Sequence, residues 1–184
     1  MNLRGARERF RSGWIVPAAL AILLMPAREP AAAAPASRPF RVKTLDGAVL
    51  DLEDLRRRGP VLIDFWSTWC KPCLHSLPAI EALHREFSPL GLAVVGVSID
   101  GPRNHSKVRP FAARMGLTYP IVLDEDGSLQ QRFQVRAVPT VVLVDTAGAV
   151  VHIAQGFRPG EEELLRARIH TLCTAPAGEG DQRP

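Results

Sequence analysis

Val61-Leu62-Ile63-Asp64-Phe65-Trp66-Ser67-Thr68-Trp69-Cys70-Lys71-Pro72-Cys73 is the stretch on which the fold turns. Residues 61–66 are short and mostly apolar, the pattern of a parallel strand buried on both faces. From Leu74 to Phe87, the residues Leu74, Leu77, Ile80, Ala82, Leu83 and Phe87 recur at helical spacing. Two cysteines three residues apart therefore stand where a strand gives way to a helix.

That position sets their chemistry. The first turn of a helix presents unpaired N–H groups and a partial positive charge, and both favour a thiolate. Cys70 is expected to be acidic and nucleophilic, and the cation of Lys71 adds to the effect. Cysteines at i and i+3 in a first turn lie within the roughly 4.4–6.8 Å between Cα atoms that a disulfide requires. So small a loop constrains the unfolded chain little, which argues against a permanent staple and for a reversible dithiol/disulfide couple. Zinc would need four ligands, and the one other cysteine, Cys173, is about a hundred residues away. Haem attachment would need His directly after Cys73, where Leu74 stands. His75, His84, His105, His152 and His170 show no ligand spacing. No metal and no cofactor are expected.

The N-terminus speaks to compartment. Arg4, Arg7, Arg9 and Arg11 precede the apolar run Trp14 to Met25, followed by an Ala/Pro segment ending Ala34-Pro35-Ala36. This is the pattern of a secretory signal, residues 1–36, with cleavage after Ala36. Its apolar core of 12 residues falls short of the ~20 needed to span a bilayer, and an uncleaved anchor is the other reading of the segment. Five arginines and two glutamates lie in residues 1–36, so their removal lowers the net charge from +4 to +1. No nucleic-acid partner is expected of such a chain, and Arg56-Arg57-Arg58 reads as a solvated helix end. Residues 37–173 make one domain, and 174–184, rich in Ala, Gly and Pro, a flexible tail. The expected location is the periplasm, with membrane contact only through an uncleaved N-terminal segment.

Phe40 to Thr44 and Val49 to Leu52, joined by a turn at Asp46-Gly47, form an expected N-terminal β-hairpin. After the cysteine helix come a strand at Leu92 to Ile99, a helix around Arg109 to Met115, a strand at Tyr119 to Leu123 and a short helix from Ser128 to Phe133. Strands at Thr140 to Val144 and Val150 to Ala154 follow, then a closing helix from Glu161 to Leu172. Alternating strands and helices imply an α/β fold. The last two strands are joined by too short a turn to run parallel, so the sheet is mixed. The site belongs at the carboxyl ends of the parallel strands, where Cys70 lies.

Asp64-Phe65-Trp66-x-x-Trp69-Cys70-x-Pro72-Cys73, Pro78 five residues on, and Val138-Pro139-Thr140 before a strand together resemble the thioredoxin superfamily. The hairpin, the inserted strand-helix segment between residues 104 and 133 and the signal are similar to its TlpA/ResA/CcmG-like exported branch, over residues 38–172. The resemblance implies a thioredoxin-like fold with a mixed central sheet flanked by helices. It also implies a cis Pro139 beside the cysteines, and a Val138 backbone that pairs with substrate. Trp69 would form an apolar contact surface, Trp66 would pack beside the site, and Pro78 would kink the cysteine helix. A carboxylate inside an apolar strand must find partners or hold a proton. The family reading makes Asp64 the acid/base for Cys73. Many relatives in the exported branch carry Asn there, and Gly96 stands where thioredoxins place a lysine partner for this acid.

The function implied is thiol–disulfide exchange, with Cys70 attacking a substrate disulfide and Cys73 resolving the mixed disulfide. Lys71-Pro72 between the cysteines is more like a reductant than an oxidant. A reductant of this kind would be recharged by a membrane electron donor resembling the DsbD/CcdA transporters. Its clients would be disulfide-containing proteins such as apocytochrome c or copper-oxidase assembly factors. The alternative is an exported copper metallochaperone of the same fold, using Cys70, Cys73 and His75, although such chaperones resemble a wider cysteine spacing. A peroxiredoxin would need Thr-x-x-Cys, whereas Ser67-Thr68-Trp69 precedes Cys70. Cys173 is assigned no role.

Overall fold

The computed structural model describes Ser37 and residues 39–175. The expected signal, residues 1–36, and the expected tail beyond residue 175 lie outside the described residues. The central sheet has five strands, in the order β5 (Ile121–Leu123), β4 (Ala93–Ser98), β3 (Val61–Trp66), β6 (Thr140–Val144), β7 (Val150–Gln155). β3 runs parallel to β4, and β4 to β5. β6 is antiparallel to both β3 and β7. The sheet is mixed, as the short 145–149 connection requires.

All six residues of β3 are buried, because the strand is central in the sheet and covered on both faces. On one face, Leu62 packs with Ile80 and Leu83 of α2 (Cys73–Phe87) and with Leu165 and Ile169 of α5 (Glu161–Thr174). Trp66 packs with Cys73 and Leu77 of α2 and with Phe111 of α3 (His105–Arg114). Asp64 alternates with Leu62 and Trp66, so it belongs to the face that α2 covers. On the opposite face, Val61, Ile63 and Phe65 join Phe40, Phe133 and the two leucines Leu52 and Leu55. Each such side chain withdrawn from water contributes roughly 1.5–3 kcal/mol.

The N-terminal hairpin pairs β1 (Arg41–Lys43) with β2 (Val49–Asp51). Leu45 N–H donates to the Ile121 carbonyl at 2.7 Å, and Thr44 bridges Val122, so the hairpin's end lies along β5 and covers that sheet edge. Most element boundaries fall within a residue or two of expectation, and the larger differences have physical causes. The second hairpin strand stops at Asp51, because that side chain accepts from Glu53 N–H at 2.8 Å and starts helix α1 (Leu52–Arg56). Helix α3 begins at His105, ahead of the expected Arg109, and carries Pro110 inside it. β5 starts only at Ile121, after Pro120. Thr174, expected in the tail, is the last residue of α5.

Candidate active site

α2 begins at Cys73, and Pro72 precedes it without offering a side-chain cap. No acidic residue stands in its first turn, so nothing competes with a thiolate for the positive end. The Cys73 N–H is shared between the Cys70 carbonyl and Cys70 Sγ, at 3.2 Å to each. Cys70 and Cys73 are joined as a disulfide, with Cα atoms 5.4 Å apart. The structure is therefore that of the oxidised form.

Cys70 is 5% exposed and Cys73 fully buried. The asymmetry makes Cys70 the sulfur a partner reaches first. Trp69, 60% exposed, and Leu74, 44% exposed, flank the pair with apolar surface. Lys71 and Pro72 are exposed between the cysteines. Pro78 lies inside α2 and, having no N–H, leaves the Leu74 carbonyl without its helical donor.

The Val138–Pro139 peptide is cis. Val138 packs against the cluster holding Cys70, Cys73 and Trp66, which brings this distant loop to the cysteines. Thr140 Oγ1 donates to the Ala137 carbonyl at 2.6 Å and ties the turn across the proline. Trp66 is buried and stacks on Phe111 with centroids 5.4 Å apart.

Asp64 is completely buried, and its carboxyl is pushed up to about 7 because burial penalises the charged form. The Tyr119 hydroxyl, 3.3 Å from Oδ2, works in the opposite direction. The phenol itself is pushed well above its ordinary value, by burial first and by the Asp64 charge second. No polar partner contacts Asp64 Oδ1. At neutral pH such a carboxyl is poised to hold or release a proton.

Two contributors escaped the reading of the sequence. Asp100, fully buried, accepts from Thr68 N–H at 2.8 Å, Thr68 Oγ1 at 2.6 Å and Ser98 Oγ at 2.9 Å. It fastens the loop leading into Trp69-Cys70 to the end of β4. Its signal was its place just beyond a buried parallel strand, at the sheet's site-bearing end. Tyr119 had no comparable signal, because its approach to Asp64 depends on the register between β3, β4 and β5. Among the described residues there is no group of three or more His, Cys, Asp or Glu placed to hold a metal ion.

Residues 31–153 match the family model described as AhpC/TSA. The chain is 37% identical over 124 residues to the thioredoxin-like protein YneN of Bacillus subtilis, covering 67% of this chain and 71% of the relative. It is 34% identical over 123 residues to the thiol-disulfide oxidoreductase ResA of Geobacillus thermodenitrificans, covering 67% and 69%. Among solved structures, a candidate thiol:disulfide interchange protein DsbE from Chlorobium tepidum superposes with a TM-score of 0.70 at 27% identity, over 77% of this chain and 97% of the other. StoA from Bacillus subtilis superposes with a TM-score of 0.61 at 26% identity, over 72% and 98%.

Proposed function

Because the chain belongs to the AhpC/TSA family of thioredoxin-like proteins, we propose that its Cys70–Cys73 couple reduces disulfides of client proteins in the periplasm. Like these relatives, the protein is a thiol–disulfide oxidoreductase of the ResA and DsbE type. One observation carries the direction of attack. Cys70, the more accessible sulfur, receives the first N–H of α2 beside an exposed Trp69, whereas Cys73 is closed off.

In the reduced protein the Cys70 thiolate attacks one sulfur of the client disulfide. The client S–S bond breaks, Cys70 is joined to the near sulfur, and the electron pair leaves on the far sulfur, which takes a proton. Asp64, as carboxylate, accepts the Cys73 proton. The Cys73 thiolate then attacks Cys70 Sγ, re-forms the Cys70–Cys73 disulfide and expels the second client thiolate. Two electrons pass from protein to client. Trp69 and the Val138 backbone beside Pro139 hold the client segment, while Lys71 and Pro72 set the acidity and shape of the first turn.

Each turnover leaves the protein oxidised, so a reductase outside the cytoplasm needs a donor of electrons. A membrane transporter resembling DsbD/CcdA fits that need. Residues 1–36 carry the signal on which the periplasmic location rests, and no helix among the described residues is long and apolar enough to cross a membrane. Apocytochrome c cysteines, or copper-site cysteines of oxidase assembly factors, are the client class that suits a dedicated reductant there.

The test is a Cys73→Ala variant expressed in the periplasm, where the first step proceeds and resolution does not. A disulfide-linked client should accumulate on Cys70, and its identity should fall in the stated class. If no adduct forms, client reduction by this couple is wrong.

A further inference from the structure

Asp64 and Gly96 stand opposite each other in the paired strands β3 and β4. On the far side of β4, Gly96 pairs with Ile121 of β5, and Tyr119 lies two residues before it. A Cβ at position 96 would lie 2.8 Å from Tyr119 Cε2, closer than real side chains come without displacing the ring, and 3.1 Å from Trp66 Nε1, which would have to give by a few tenths of an ångström. The absent side chain is thus what lets the Tyr119 ring cross β4. Tyr119 is 3% exposed, and its hydroxyl donates to Asp64 Oδ2 at 3.3 Å. The other oxygen, Oδ1, makes no hydrogen bond.

Among the described residues Tyr119 is the side chain that hydrogen-bonds the Asp64 carboxyl, while the Trp66 indole N–H, two residues along β3, is buried without a partner. β4 contributes Gly96, and β6 contributes Val141 at the paired position. On α2, Cys73 is buried in the cluster of Trp66, two residues along β3 from Asp64, and Glu81 and His84 lie against Tyr119. The Glu81 carboxylate is occupied by Thr118 N–H at 2.9 Å, Thr118 Oγ1 at 2.7 Å and Arg85 at 2.6 Å. The His84 ring meets the Tyr119 ring edge-on, with centroids 5.7 Å apart.

We propose that Tyr119 is the positioning residue of Asp64: crossing over Gly96, its hydroxyl holds Oδ2 and leaves Oδ1 as the oxygen that exchanges a proton with Cys73. This rests on the reading of Asp64 as the acid/base of the resolving step. A neutral donor stabilises a carboxylate less than a cation does, so Asp64 is left able to change protonation state near neutral pH.

The test compares wild type, Tyr119→Phe and Asp64→Asn in two measurements: the Asp64 carboxyl titration followed by carbon-13 NMR in the reduced protein, and the pH profile of mixed-disulfide resolution. Tyr119→Phe keeps the ring that fills the space over Gly96 and removes only the donor. Its Asp64 midpoint should rise by about one pH unit, the worth of a modest hydrogen bond to a charge. The resolution profile should move with it. In the Asp64→Asn background, Tyr119→Phe should move nothing further. Gly96→Ala, whose methyl would push the ring off the carboxyl, should raise the midpoint in the same direction. An unchanged Asp64 midpoint in Tyr119→Phe overturns the inference even where Asp64→Asn alters resolution. A raised midpoint together with a resolution profile indifferent to Asp64→Asn overturns the acid/base reading instead, and with it the assignment of Oδ1.

Discussion

The N–H of Cys73 points at the Sγ of Cys70 across 3.2 Å, at the start of a helix whose first turn holds no carboxylate. That geometry predicts strongly unequal cysteines once the disulfide is reduced. At neutral pH, alkylation followed by mass spectrometry should label Cys70 at least tenfold faster than the buried Cys73. Lys71→Glu should slow the Cys70 reaction. Equal labelling of the two sulfurs would remove the basis for naming Cys70 the nucleophile.

Asp64 couples folding to pH. Its carboxyl is raised from 3.8 to about 7 in the folded protein, so the folded state binds the proton more tightly than the unfolded chain. Below about pH 4 the group is protonated in both states and costs nothing. Between about pH 4 and pH 7 the unfolded chain ionises first, and the folded protein loses up to about 4 kcal/mol, a loss complete above pH 7. Urea denaturation should therefore show Asp64→Asn close to wild type at pH 4 and more stable at pH 8. A stability gap that does not grow with pH contradicts the burial argument.

Asp100 holds Thr68 by two hydrogen bonds and Ser98 by a third. Asp100→Ala leaves the buried Ser98 donor and the two half-buried Thr68 donors unsatisfied, and should cost about 2–4 kcal/mol of stability. Exchange through Cys70 should slow as well, because the loop into Trp69 loses its fastening. A Thr68→Val variant, which removes the 2.6 Å contact but keeps the backbone one, should fall between the two.

Trp69 is mostly exposed, so truncating it costs little stability, within about 0.5 kcal/mol by thermal unfolding. Trp69→Ala should reduce the rate on a protein disulfide several-fold. The rate on a small aromatic disulfide should hardly change, since that probe needs no docking surface. Equal loss on both substrates would assign Trp69 to the chemistry of Cys70 rather than to client contact.

Much of this was legible in the residues themselves. The run 61–66 read as a buried strand because its apolar residues are continuous, and the helix after Cys73 because its apolar residues recur every three to four. The 145–149 turn alone required a mixed sheet. The cis Val138–Pro139 bond followed from resemblance, because nothing in residues 138 and 139 alone distinguishes it from an ordinary proline turn. Helix α1 was legible only at its end, Arg56-Arg57-Arg58; its start was missed, since Val49-Leu50-Asp51-Leu52 suits a strand until the Asp51 side chain is known to cap the turn after it. Tyr119 was missed for a different reason. It lies 55 residues from Asp64 in the chain, and only the pairing of three strands, with a glycine in the middle one, lets the ring reach the carboxyl.

The Cys70–Cys73 dithiol should pass two electrons to a protein disulfide, with Cys70 leading. The direct measurement is to reduce the purified protein, remove the reductant, mix it with equimolar insulin and follow both partners by mass spectrometry. Wild type should return to the Cys70–Cys73 disulfide while insulin gains two thiols, and Cys70→Ser should transfer nothing. Wild type that keeps both thiols beside intact insulin, or a Cys70→Ser variant that transfers as fast as wild type, would contradict it.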